Sequence, residues 1–80
     1  MNKIKNLPAK NLVKALKRLG YEPTRQTGSH IRLTTQINGE HHVTIPNHSP
    51  LKIGTAAAII GNVAQHFNQS KEEIIQRLFE

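Results

Sequence analysis

Two short stretches of alternating side chains, residues 30–36 and 42–46, constrain the fold of this chain more than any other feature. In the first, Ile31 and Leu33 alternate with His30, Arg32 and Thr34; in the second, Val43 and Ile45 alternate with His42 and Thr44. A period of two marks a half-buried strand, apolar toward a core and polar toward water. For both apolar sets to share one face of an antiparallel pair, the numbers of facing residues must add to an even value. A two-residue Asn38-Gly39 loop gives an odd sum, whereas a three-residue loop, Ile37-Asn38-Gly39 with Gly39 left-handed, gives an even one. That register sends His30, Arg32, Thr34, His42 and Thr44 to the face away from the core. Polar chemistry and packing are therefore expected on opposite sides of one sheet.

The flanking segments supply the other layer. From Pro8 to Leu19, Leu12, Val13, Leu16 and Leu19 recur at helical spacing while Lys10, Lys14, Lys17 and Arg18 fill the remaining faces. Pro8 suits the first helical turn, and Gly20 supplies a left-handed stop. Residues 21–27 read as a further strand that Pro23 confines to an edge or a bulge. Residues 47–54 read as a linker containing Pro50 and Gly54. Thr55 is expected to cap a helix from Ala56 to about Phe67, with Ile59, Ile60, Val63 and Phe67 turned inward. Ser70 with Glu73 makes a capping box for a last helix whose apolar face is Ile74, Ile75, Leu78 and Phe79. The expectation is a single α+β domain over residues 1–80. It is a three-stranded antiparallel sheet with helices packed on one face, in the order α-β-β-β-α-α.

Composition narrows the partners. A chain of 80 residues has room for one thin core, since folding at this size buries only a little over roughly 60% of the unfolded surface. There is no Trp, and Tyr21, Phe67 and Phe79 are the only aromatics, which disfavours single-strand binding by base stacking. Eleven Lys and Arg against five acids give a formal charge of +6, a field that attracts polyanions and makes nucleic acid the leading partner class. The absence of Cys excludes disulfides and thiolate metal sites and agrees with a reducing compartment. No apolar run approaches the length of a membrane span, and the opening Met1-Asn2-Lys3-Ile4-Lys5 lacks the apolar stretch of a signal peptide, so a cytoplasmic protein is expected.

Gly28-Ser29-His30 puts one imidazole at the mouth of a strand, just after the basic turn Arg25-Gln26-Thr27. Around it, in order, stand Leu7-Pro8, Lys14, Leu16, Gly20-Tyr21, Ile45-Pro46, His48, Leu51-Lys52, Gly54-Thr55 and Ile59-Ile60. Each piece is ordinary alone, but their order and spacing resemble the HicA family of bacterial toxin ribonucleases, which have a double-stranded-RNA-binding-domain-like fold. The resemblance implies cleavage of messenger RNA, without metal or cofactor, by the histidine of Gly-Ser-His, here His30. It further implies neutralisation by a cognate HicB-type antitoxin, expected to be acidic and to cover His30 and the basic surface.

Cleaving RNA without a metal needs a base for the 2′-hydroxyl proton, positive charge beside the phosphorane, and an acid for the 5′-oxygen. An imidazole, with an ordinary pKa of about 6.5, serves either proton-transfer role near neutrality. His30 is accordingly the candidate base or acid, against the plainer reading of a solvated strand-end histidine. Arg25 and Arg32 are candidates to hold the scissile phosphate, although exposed strand arginines are commonly just solvated. Lys10, Lys14, Lys17 and Arg18 are candidate RNA contacts, because no acid in residues 1–21 offsets them. His48 reads as a brace for the linker and His66 as a partly exposed helix residue. His41 and His42 are adjacent and so face opposite ways on a strand, and no metal site is expected. The competing functions are a non-catalytic RNA-binding module of the same fold and an interaction module for an acidic partner.

Overall fold

The computed structural model describes residues 2–80, residue 2 by its backbone alone, so Met1 lies outside the described residues. A short 3-10 turn over Asn2–Ile4 leads to helix α1, Ala9–Leu16, which tightens into a 3-10 turn at Lys17–Leu19. Strands β1 (Glu22–Thr27), β2 (His30–Thr35) and β3 (His41–Pro46) follow, then helices α2 (Ile53–Phe67) and α3 (Lys71–Phe79). The sheet is antiparallel with spatial order β1-β2-β3. This is the expected α-β-β-β-α-α arrangement, an α+β fold consistent with the double-stranded-RNA-binding-domain type.

The parity argument holds. Ile31 faces Ile45 and Leu33 faces Val43. The connecting turn closes with the Gly39 N–H donating to the Gln36 carbonyl at 3.3 Å, with Asn38 (φ 60°) and Gly39 (φ 96°) both left-handed. Leu33, Val43 and Ile45 join Leu12, Leu16, Ile60, Val63, Ile74 and Leu78 in one buried cluster, each such side chain contributing about 1.5–3 kcal/mol. All three helices thus pack on the same face of the sheet. β1 differs: all six of its residues are exposed, so the sheet extends beyond its helical cover along that edge.

Pro8 (φ −67°, ψ 143°) is the N-cap of α1, one residue before the expected first turn, and Gly20 (φ 83°) ends the 3-10 extension. α2 begins three residues earlier than expected, with Lys52 at the N-cap and no side-chain cap, so Thr55 is inside the first turn. The reason is local. Leu51 is buried, its N–H held by the Leu7 carbonyl at 2.7 Å, and the chain turns helical directly after that anchor. The capping box of α3 is complete: the Glu73 N–H donates to Ser70 Oγ at 3.1 Å and the Ser70 N–H to Glu73 Oε1 at 2.8 Å. Among the described residues no helix is long and apolar enough to cross a membrane.

Candidate nucleic-acid interface

Gly28 and Ser29 form a two-residue loop between the paired residues Thr27 and His30. A loop this tight needs a positive φ at its first central position, which Gly28 supplies at 54°. The Asn47 N–H donates to the Ser29 carbonyl, tying the loop to the end of β3. His30 is therefore the first residue of β2, exposed at the tip of a hairpin, with Thr27 facing it on one side and Pro46 on the other. Gly-Ser-His is in this sense a display device: glycine for the turn, serine for the tether, histidine for the exposed position.

Arg25 faces Arg32 directly across β1 and β2. Facing residues of an antiparallel pair lie on one side of the sheet, about 5 Å apart at Cα, so both guanidinium groups share the exposed face with His30. Neither forms an ion pair among the described residues. Like charges directly opposite one another destabilise a sheet. The acids of this face stand at its other end. Glu22 faces Thr34, and Glu40 Oε2 lies 2.8 Å from His42 Nε2. The face is polarised along the strands, cationic near His30 and acidic four residues further on, and it is an open surface suited to a polymer.

His42 lies opposite Thr34, about 13 Å along β2 from His30 at the ordinary strand rise, too far for the two imidazoles to share one phosphate. His48 is exposed beyond the end of β3; its backbone acts as the brace, its carbonyl accepting the Ala9 N–H at 3.3 Å. That contact sets the first turn of α1, and with it Lys10, at the His30 end of the molecule. Lys14, Lys17 and Arg18 run away from that end, on the helical layer. Arg18 Nη1 donates to the carbonyls of Arg77 at 3.4 Å and Glu80 at 3.3 Å. The structure thus gathers His30, Arg25 and Arg32 and leaves the α1 cations as a second surface. No group of three or more His, Cys, Asp or Glu side chains able to hold a metal occurs among the described residues.

Sequence reasoning missed one cluster. His41 stacks on His66 with ring centroids 4.4 Å apart and 11° between planes, and Tyr21 Oη lies 2.7 Å from His41 Nδ1. His66 Nε2 donates to the Ile37 carbonyl at 3.0 Å, and Asn38 Nδ2 donates to the His66 carbonyl at 2.8 Å. Burial, then the neighbouring His66 and His42, pull the His41 imidazole below its ordinary value, and burial pushes the Tyr21 phenol up to about 12. A neutral His41 whose Nδ1 accepts a hydrogen bond from the Tyr21 hydroxyl satisfies both. The cluster fastens the β2–β3 turn to the end of α2, on the far side of the fold from His30.

No curated protein and no solved structure gives a match to this chain. A family model described as the HicA toxin of bacterial toxin–antitoxin systems matches residues 9–65. The matched span opens at the first residue of α1 and closes two residues before the end of α2, taking in the whole sheet and the Gly28-Ser29-His30 tip. The match covers well over half of the residues, and the chain belongs to the HicA family, the toxin component of toxin–antitoxin systems.

Proposed function

We propose that this toxin is a metal-independent endoribonuclease that cleaves messenger RNA on the exposed face of its sheet. In this reading His30 transfers the proton, and Arg25 and Arg32 hold the scissile phosphate. The observation that carries the reading is the opposed arginine pair beside His30. Two unpaired guanidinium groups facing one another are unfavourable by themselves, and an anion between them turns repulsion into two charge-assisted interactions. In the reaction the 2′-oxygen bonds to phosphorus as the bond from phosphorus to the 5′-oxygen breaks. The products are a 2′,3′-cyclic phosphate and a 5′-hydroxyl. His30 either accepts the 2′-hydroxyl proton or donates to the 5′-oxygen, and water takes the other role. A positioned imidazole of this kind contributes roughly 10²–10⁴-fold. The cations of Lys10, Lys14, Lys17 and Arg18 extend the grip on the backbone beyond the cleavage point, Lys10 being nearest the tip. Among the described residues the exposed face carries no Phe, Tyr or Trp, so discrimination between sequences would not come from a stacking platform of those rings.

The separation of the α1 cations from His30 favours one competing reading, a non-catalytic binder that recognises duplex RNA by shape. Incubation of the purified protein and its His30→Ala variant with single-stranded RNA in EDTA distinguishes the two. The nuclease reading expects cleavage by the wild type alone, leaving cyclic-phosphate and 5′-hydroxyl ends. Intact RNA with an equal, salt-sensitive mobility shift for both proteins establishes the binder instead. Membership of the family implies a cognate antitoxin; we propose that it is acidic and inhibits by covering the cationic end of the sheet that displays His30, a fast and salt-sensitive association.

A further inference from the structure

The register of β1 carries information beyond the proposed site. Counting from its start, Glu22 faces Thr34 and Pro23 faces Leu33, a register that would next set Thr24 against Arg32 and Arg25 against Ile31. Arg25 would then be on the opposite side of the sheet from His30. Instead the pairing skips Thr24, and Arg25 faces Arg32. A single extra residue in one strand turns the following side chains to the other face.

Buried Tyr21 before β1 and the two-residue Gly28-Ser29 turn after it together demand one extra residue in this strand, but nothing apolar fixes where within β1 that residue sits. Strands with one buried face resist slipping because a slip would expose their hydrophobic side, but β1 reads Glu-Pro-Thr-Arg-Gln-Thr and is exposed on both faces. What holds the bulge is polar. Thr24 Oγ1 lies 3.0 Å from Thr34 Oγ1 and 3.4 Å from the Arg32 carbonyl. Thr34 Oγ1 lies 2.7 Å from His42 Nδ1, and His42 Nε2 lies 2.8 Å from Glu40 Oε2. This chain of hydrogen bonds crosses all three strands on the exposed face and ends on the bulged residue.

We infer that Thr24 is a positioning residue: its hydroxyl, anchored through Thr34 and His42, holds the extra residue of β1 ahead of Arg25 and so keeps Arg25 paired with Arg32 on the RNA-binding face. The inference rests on the proposed role of that face, and it gives a residue outside the Gly-Ser-His tip a defined task. Thr24 touches no substrate; it acts through Arg25.

The test is a double-mutant cycle on Thr24→Val and Arg25→Ala. It is read as kcat and KM for cleavage of a single-stranded RNA and, with His30→Ala in every protein, as Kd for the same RNA. Thr24→Val removes the hydroxyl at nearly constant volume and keeps a strand-forming side chain. KM and Kd are expected to rise roughly three- to tenfold with kcat little changed, the pattern of lost uniform binding. Thr24→Ser restores both constants, and Thr34→Val reproduces the loss. In the Arg25→Ala background Thr24→Val has no further effect, the non-additivity of residues that act as one unit. The same factor with and without Arg25, or no change in either constant, overturns the inference. A wild-type protein that binds RNA without cutting it removes the nuclease reading, while the Kd cycle still decides the role of Thr24.

Discussion

Gly20 and Gly28 both have positive φ, at 83° and 54°, yet alanine at the two positions is expected to cost different amounts. At Gly28 no atom lies within 4 Å of the added Cβ, so the variant bears only the left-handed backbone, about 1–2 kcal/mol. At Gly20 the Cβ would stand 2.5 Å from Ile37 Cδ1 and 2.8 Å from Thr35 Oγ1. Ile37 is half exposed and can swing away. Thr35 cannot: it is fully buried, donates to the Leu19 carbonyl at 2.9 Å and accepts the Ile37 N–H at 3.1 Å. Overpacking against such a fixed neighbour adds about 1–3 kcal/mol. The smaller unfolded-state entropy of alanine, worth about 0.4–1 kcal/mol, is common to both variants and cancels in their difference. Urea unfolding followed by circular dichroism at unchanged m-value gives that difference directly. In thermal melts, at about 4–8 °C per kcal/mol for a domain of this size, Gly20→Ala should melt clearly below Gly28→Ala. Equal stabilities, or a more stable Gly20→Ala, would refute the argument from Thr35.

Three further outcomes concern titration and capping. His41, held below its ordinary 6.5 by burial and its imidazole neighbours, binds fewer protons folded than unfolded. Its contribution to stability is therefore present above that value and is lost as pH falls through the range beneath it. An NMR titration should find His41 below 6.5 and rising in His66→Gln; a His41 that titrates at its ordinary value counts against the stacked geometry. Tyr21 has the opposite sign: raised from 10.0 to about 12, it stabilises the fold below 10.0 and loses that effect as pH climbs toward its folded value. Ser70→Ala should cost about 1 kcal/mol of stability through loss of the N-cap. The bonds from Ser70 also hold the Glu73 carboxyl below its ordinary 4.5, a stabilising effect present above that value and lost as acid protonates the folded carboxylate. An acid-unfolding midpoint that is the same with and without Ser70 would sink this account.

The legible parts of the fold were those written in nearest-neighbour chemistry. The β2–β3 pairing followed from Ile31, Leu33, Val43 and Ile45 together with the loop length that their parity demands, and the α3 start followed from Ser70 and Glu73. The start of α2 was misplaced because Thr55 has the side chain of a cap, whereas the real boundary is set by Leu51 docking against Leu7, a contact between distant segments. The exposed position of His30 was legible from alternation. The direct opposition of Arg25 and Arg32 was not, because it depends on a two-residue Gly28-Ser29 turn and on a bulge falling before Arg25, in a strand with no hydrophobic pattern to reveal either. The His41–His66 stack was equally hidden: it joins the end of one strand to the last turn of a helix, and neither element's local sequence signals the meeting.

A strand exposed on both faces, with its outer backbone edge unpaired, is a standing invitation to other chains, because free N–H and C=O groups can template a further strand. β1 is such an edge, yet it carries Pro23, which has no N–H to offer, a bulge at Thr24 that breaks the regular spacing of its hydrogen-bonding groups, and Arg25 as a charged sentry. The irregularity that aims one arginine thus also spoils the edge as a template, and sheet-to-sheet association between copies is disfavoured without a protecting helix. If the exposed face binds RNA as proposed, its bareness is kept safe through the shape of the outermost strand.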